Sequence, residues 1–196
     1  MKKAALMVMI LTIISKILGF GREIVQSYFY GASALTDAYL ISQTIPSQIF
    51  GLISAGFATG FVPMYSRILK EEGQLGANRY TNNLSNALLL LAGLTVVIVL
   101  VLTQPVVKLF AKGFSGETLE LAILFTRINV FGVIFASITG IFANYLRIHN
   151  NFIIPAMVGF PFNIIIISSL FISASTNIYV LIYGSVLATA SQLLLY

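Results

Sequence analysis

Long apolar runs broken by short polar stretches set the rhythm of this chain. Six apolar segments can be marked, at 4–30, 36–69, 82–103, 117–145, 153–174 and 178–196. Each is long enough for a membrane helix, which needs about 20 apolar residues. Closed barrels instead show alternating stretches of about 10 residues, so an all-α polytopic membrane protein with six transmembrane helices is predicted. Thr36-Asp37 reads as the start of the second helix. That segment is too long for one straight span, so it should project from the bilayer or kink at Pro46 or Pro63. A polar loop, Lys70–Arg79, separates it from the third. A short amphipathic stretch, Val106–Phe114, follows Gln104-Pro105 and is expected on the membrane surface. The fourth segment opens with acidic residues, as the helix dipole favours, and Pro161 interrupts the fifth.

The first segment departs from its apolar background. On a helix, Thr12, Ser15, Lys16, Gly19, Arg22, Glu23, Gln26 and Tyr30 fall within one arc of about 120°. From Thr12 to Gln26 this stripe climbs roughly 21 Å, most of the hydrocarbon thickness. An intramembrane ion costs roughly 2.5–3.5 kcal/mol on the lenient insertion scale, so such groups face protein or water. The stripe is therefore expected to line an aqueous cavity. The competing reading has Lys16 and Arg22 snorkelling to opposite interfaces, or paired with Glu23. Lys16 lies close to mid-membrane, where snorkelling is hardest, and the triplet keeps one net positive charge.

Composition narrows the class further. The chain has 196 residues, 58% hydrophobic and 9% charged, with mean hydropathy +0.97. Soluble domains carry about 25% charged residues, so no soluble surface can be made here. Cysteine is absent, which excludes disulfides, thiolate zinc sites and thiol nucleophiles. The net charge of +5 is spread over short loops, so nucleic acid is not an expected partner. Residues 1–15 resemble a signal peptide, but the helix runs on through Lys16 without a cleavage site. With the N-terminus inside, Lys2, Lys3, Arg67, Lys70, Arg79 and Arg147 are inner and only Lys108 and Lys112 outer. That asymmetry predicts a cytoplasmic N-terminus. The last span ends apolar without a basic anchor, so the chain is expected to be the first part of a longer transporter.

The remaining polar residues each carry a plainer alternative. Asp37 is a first-turn carboxylate of the second helix and, compatibly, a partner or gate for Arg22. Its helix face continues through Thr44, Gln48, Gly51, Ala55 and Thr59. Gly56-x-x-x-Gly60 and Gly132/Ala136/Gly140 read as small-residue packing faces. Arg127 favours snorkelling, with a cavity role as the alternative. Asn163 either satisfies backbone freed by Pro161, at Met157, or lines the cavity. His149 is an inner-loop residue without nearby ligands, not a metal site. Walker and Rossmann glycine patterns, a His-Glu-x-x-His pair and a nucleophile elbow are all absent, and no paired aspartates suggest a Mg²⁺-pyrophosphate enzyme. The expectation is a transporter rather than an enzyme, without metal or cofactor.

Three blocks carry a family resemblance. SKILGFGREIVQSYFYGASALTDAYLISQTIP (15–46) resembles the opening signature of MurJ/MviN-type lipid II flippases, within the multidrug/oligosaccharidyl-lipid/polysaccharide (MOP) exporter superfamily. GFATGFVPMYS (56–66) and NYLRIHNNFIIPAMVGFPFNIIII (144–167) resemble later family blocks in the same order. The resemblance implies one lobe of a V-shaped, MATE-like transporter, with 1–196 as the N-terminal lobe and a C-terminal lobe missing from this chain. It implies translocation of a lipid-linked diphosphate glycan across the bacterial cytoplasmic membrane by alternating access, coupled to membrane potential or an ion gradient.

On that resemblance Ser15, Lys16 and Arg22 match the substrate-binding positions, and Glu23 and Asp37 the acidic positions that gate or tune charge. Gln26, Gln48, Arg127 and Asn163 are further cavity candidates. Lys16 stands where many members have arginine, which keeps the charge without the bidentate fork. Gln48-Ile49-Phe50-Gly51 stands where many Gram-negative members carry a basic pair, so that contact is not carried over. A net-positive cavity suits an anionic diphosphate, whereas cation exporters are expected to use intramembrane carboxylates. The alternatives are a flippase for another lipid-linked oligosaccharide, a MATE-like drug exporter, or a non-transporting membrane scaffold whose charges only set helix pairing.

Overall fold

The computed structural model describes residues 2–196, with side chains from Ala5 onward except at Ile53 and Ala58. The side chains of Lys2 and Lys3, counted above as inner cations, lie outside the described residues. Among the described residues all regular structure is helical. Helix α1 is Lys2–Tyr30. It ends at Gly31, whose φ of 54° is the left-handed conformation that glycine adopts at helix C-termini.

Helix α2 is Ala34–Val101 and consists of two arms. Its N-cap is Ser33, whose hydroxyl accepts from the Thr36 amide at 3.3 Å. The predicted start at Thr36-Asp37 is thus two residues late. Neither Pro46 nor Pro63 takes the backbone out of helical geometry. A membrane helix tolerates proline where neighbouring groups re-satisfy the freed carbonyl. The break falls instead at Gly73, with φ 70° and ψ −167°. The predicted loop Lys70–Arg79 is therefore helical on both sides of one glycine. Phe61 stacks on Tyr80 with centroids 5.9 Å apart, and Phe50 clusters with Ala92. These pairings run in opposite order, so residues 34–72 and 74–101 form an antiparallel hairpin.

Helix α3, Thr103–Phe110, begins three residues before the predicted surface stretch. The fourth segment is two helices, α4 (Gly116–Asn129) and α5 (Gly132–Ile148), bent by 43° at the junction. The fifth is likewise divided into α6 (Ile153–Met157) and α7 (Gly159–Ser175). Pro161 explains this division, because it cannot donate to the Met157 carbonyl four residues back. Helix α8, Tyr179–Ser191, ends in a 3₁₀ turn, Gln192–Leu195.

Packing follows membrane rules, under which small residues and interhelical hydrogen bonds replace the hydrophobic drive. The main core gathers Ala38 and Ile45 of α2, Phe125 of α4, Ile166 and Leu170 of α7, and Leu181 and Ile182 of α8. A second cluster ties the Gly73 turn to the end of α5. There Tyr65, fully buried, meets Tyr145 edge-on at 6.2 Å and accepts from Gln74 at 3.3 Å. Helix α1 is peripheral. Ile13, Ile17, Phe20, Ile24 and Tyr28 form an exposed apolar face along it.

Candidate functional site

The larger opening is a cavity of about 650 Å³ between α2, α5 and α8. Gly51, Gly132, Ala136 and Gly140 give it room, because their short side chains leave space beside the helices. A Cβ added at Gly56, Gly60 or Gly140 would have nothing within 4 Å. Gly132 does serve as a packing position, since a Cβ there would meet Thr189 of α8 at 3.6 Å, whereas Gly56, Gly60 and Gly140 are open. Gly132, Ala136 and Gly140 also line the cavity wall. Its polar groups are uncharged: Gln43, Thr44, Ser47, Ser54, Asn129, Ser137, Asn144, Ser185 and Thr189.

One buried network forms part of this wall. Asn129 donates to the Ser42 hydroxyl at 2.7 Å, and Ser185 donates to the Asn129 carbonyl oxygen. Ser42 in turn donates to the Tyr39 carbonyl at 2.7 Å. Three helices, α2, α4 and α8, are joined through one asparagine that satisfies both ends of its amide. Nothing in the local sequence pattern reveals the partners of Asn129. A polar side chain inside a span was the available signal.

The smaller opening, about 320 Å³, lies where α1 passes α6 and the end of α5. Lys16 and Arg147 both line it, with Thr12 and Ser15. Lys16 is exposed and opens into this niche rather than into the large cavity. Arg147 entered the sequence argument only as an inner-loop charge. Its place beside Lys16 is set by the turn between α5 and α6, which no local pattern reveals.

Much of the polar stripe on α1 is a helix–helix seam. The Asn163 amide donates to the Gly159 carbonyl at 2.8 Å and to the Ser15 carbonyl at 3.4 Å. Asn163 is buried, satisfies local backbone and bridges to α1, and does not line the large cavity. Gln26 is buried and outside both openings. Tyr30 donates to Ser173 at 2.6 Å, closing the seam at its far end.

Arg22 belongs to neither opening directly. Its side chain is 25% exposed, 3.4 Å from the Glu23 carboxylate, which is itself 67% exposed. The Arg22 guanidinium also lies 5.7 Å from the centroid of Phe162, a residue that lines the large cavity. The structure therefore brings Arg22 together with Glu23 and Phe162, and Lys16 together with Arg147. It does not bring Lys16 and Arg22 together. They are separated by about 9 Å of helical rise. Asp37 is exposed in the first turn of α2, and Gln48 is exposed outside the cavity lining. Arg127 is exposed, and its Nε donates to the buried Thr103 hydroxyl of α3 at 3.4 Å. Among the described residues no cluster of three or more His, Cys, Asp or Glu side chains could hold a metal ion.

Long apolar helices, a bent span and an uncharged interior cavity beside cations on a peripheral helix define a polytopic membrane protein with a helical transporter fold. The family model described as "Lipid II flippase MurJ" matches residues 25–196, and the chain belongs to that family. A "Probable lipid II flippase MurJ" of Buchnera aphidicola subsp. Acyrthosiphon pisum is 28% identical over 198 residues, covering 98% of this chain and 39% of that protein. The "Lipid II flippase MurJ" of Burkholderia cenocepacia is 26% identical over 170 residues, covering 85% of this chain and 33% of its own length. A solved structure, "Lipid II flippase MurJ, inward closed conformation", is similar with a TM-score of 0.83 and 26% identity, over 96% of this chain and 40% of that one. The chain thus spans between a third and two fifths of the length of these three proteins. Relatives and apolar helices together make it a bacterial membrane protein.

Proposed function

We propose that this chain is the N-terminal lobe of a flippase that carries lipid-linked peptidoglycan precursor, lipid II, across the bacterial cytoplasmic membrane by alternating access. The N-terminus is cytoplasmic in this reading, and a C-terminal lobe of the same protein completes the transporter. The observation that carries the proposal is Lys16, a cation within a membrane-spanning helix, exposed and without an ion-pair partner among the described residues. Such a charge is tolerated where water or an anionic ligand meets it. Lys16 and Arg22 bind the diphosphate, Ser15 assists by hydrogen bonding, and Glu23 and Asp37 tune or gate the charge. Membrane potential or an ion gradient drives the cycle, and no resident metal or cofactor takes part. The names of the relatives support the substrate.

A second reading, export of amphipathic drugs or of another lipid-linked oligosaccharide, is favoured by the uncharged lining of the large cavity. Complementation separates the two. The full-length protein should rescue a flippase-depleted bacterium, and Lys16→Ala or Arg22→Ala should abolish rescue at normal expression. Normal growth of both variants overturns these roles. Rescue of a drug-sensitive strain alone overturns the substrate.

A further inference from the structure

We infer that the niche between α1, α6 and the end of α5 is a phosphate-binding subsite in which Arg147 is the second cation beside Lys16. The inference rests on the transport reading for its biological setting and on the niche itself for its chemistry. Two cations and two hydroxyls, Lys16, Arg147, Thr12 and Ser15, converge on about 320 Å³, and Phe152 and Pro155 supply apolar wall. No carboxylate lines the space. The ion pairs found among the described residues are Arg22–Glu23 and Arg67–Glu71, so neither cation of the niche is neutralised there. Arg147 is held by a 3.2 Å hydrogen bond to the Asn144 side chain, which leaves most of its donors free. An anion bound in the niche meets both charges at once.

The pairing also divides the work along α1. Lys16 and Arg22 reach the diphosphate from levels roughly 9 Å of helical rise apart. Lys16 and Arg147 therefore grip phosphate at one level, and Arg22, beside Phe162 at the cavity wall, stands at the next. Arg147 supplies the planar fork that lysine lacks at position 16. The ligand chemistry is a phosphate or diphosphate group, carried either by a lipid or by a free anion.

The test measures binding of farnesyl diphosphate and of inorganic pyrophosphate to the full-length protein in nanodiscs, with and without phosphatidylglycerol. Arg147→Gln and Lys16→Gln should each weaken farnesyl diphosphate binding about tenfold, the loss expected for one charge-assisted hydrogen bond. Arg147→Lys, which keeps the charge but loses the fork, should fall between Arg147→Gln and the unaltered protein, and Arg79→Gln, a cation outside the niche, should leave binding unchanged. Equal binding by Arg147→Gln and the unaltered protein overturns the inference, as does an equal loss in Arg79→Gln. Weaker pyrophosphate than farnesyl diphosphate binding assigns the ligand to a prenyl lipid, equal binding to a free anion, and competition by phosphatidylglycerol to bulk phospholipid. Arg147-dependent binding by a protein that fails to rescue flippase depletion would sink the transport reading and leave the niche standing. Rescue by Arg147→Gln with unchanged binding would do the reverse.

Discussion

Gly159 of α7 lies directly against the Ser15 side chain of α1, and a Cβ at position 159 would occupy the space of the Ser15 hydroxyl oxygen. This close approach places the Asn163 amide within reach of the Ser15 carbonyl. Gly159→Ala should therefore drive the Ser15 hydroxyl into another rotamer, costing up to about 1 kcal/mol of stability. Thermal unfolding in detergent measures it. Gly21→Ala, where the added methyl meets nothing within 4 Å, should be neutral or slightly stabilising in the same assay.

Asn129 links α2 to α8 through Ser42 and Ser185. A double-mutant cycle between Asn129→Ala and Ser185→Ala should give a coupling of about 0.6 kcal/mol, and no more than about 1.7. Simple additivity in unfolding free energy would remove the network from the account of this wall.

Gly73 holds a backbone conformation open to glycine alone. Gly73→Ala should destabilise the hairpin by about 1–3 kcal/mol. Gly93→Ala, in the second arm with nothing within 4 Å of the added methyl, is the control in the same unfolding series.

The niche and the apolar face of α1 differ in their access to water. In a protein made otherwise free of cysteine, Lys16→Cys should react readily with a membrane-impermeant thiol reagent. Ile17→Cys and Phe20→Cys, on the exposed apolar face, should be protected wherever lipid covers them. Equal protection at all three positions would remove the aqueous reading of Lys16.

The helical architecture was legible because long apolar runs admit few alternatives in lipid, and the polar stripe on α1 was legible from its period. The breaks were less so. Pro46 and Pro63 carry the strongest local signal for a kink, yet surrounding helices accommodate them, whereas Gly73 was hidden inside a stretch read as loop. A glycine amid the helix formers Lys70, Glu71, Glu72, Gln74 and Leu75 was the available sign. In the candidate site, helical periodicity places Ser15, Lys16 and Arg22 on one arc but does not say which neighbour each meets. Ser15 and Asn163 meet across a seam, and Lys16 shares a niche with Arg147, because of where α5, α6 and α7 turn. Those turns depend on tertiary packing around Pro161 and Gly159.

One residue rather than a loop joins the arms of α2, which leaves almost no slack between the second and third membrane crossings. Leu84 and Leu88 on one arm and Phe50 and Phe61 on the other share the cavity wall. Tilting either arm must therefore drag its neighbour, so this side of the chamber moves as a single lever and not as two independent shutters.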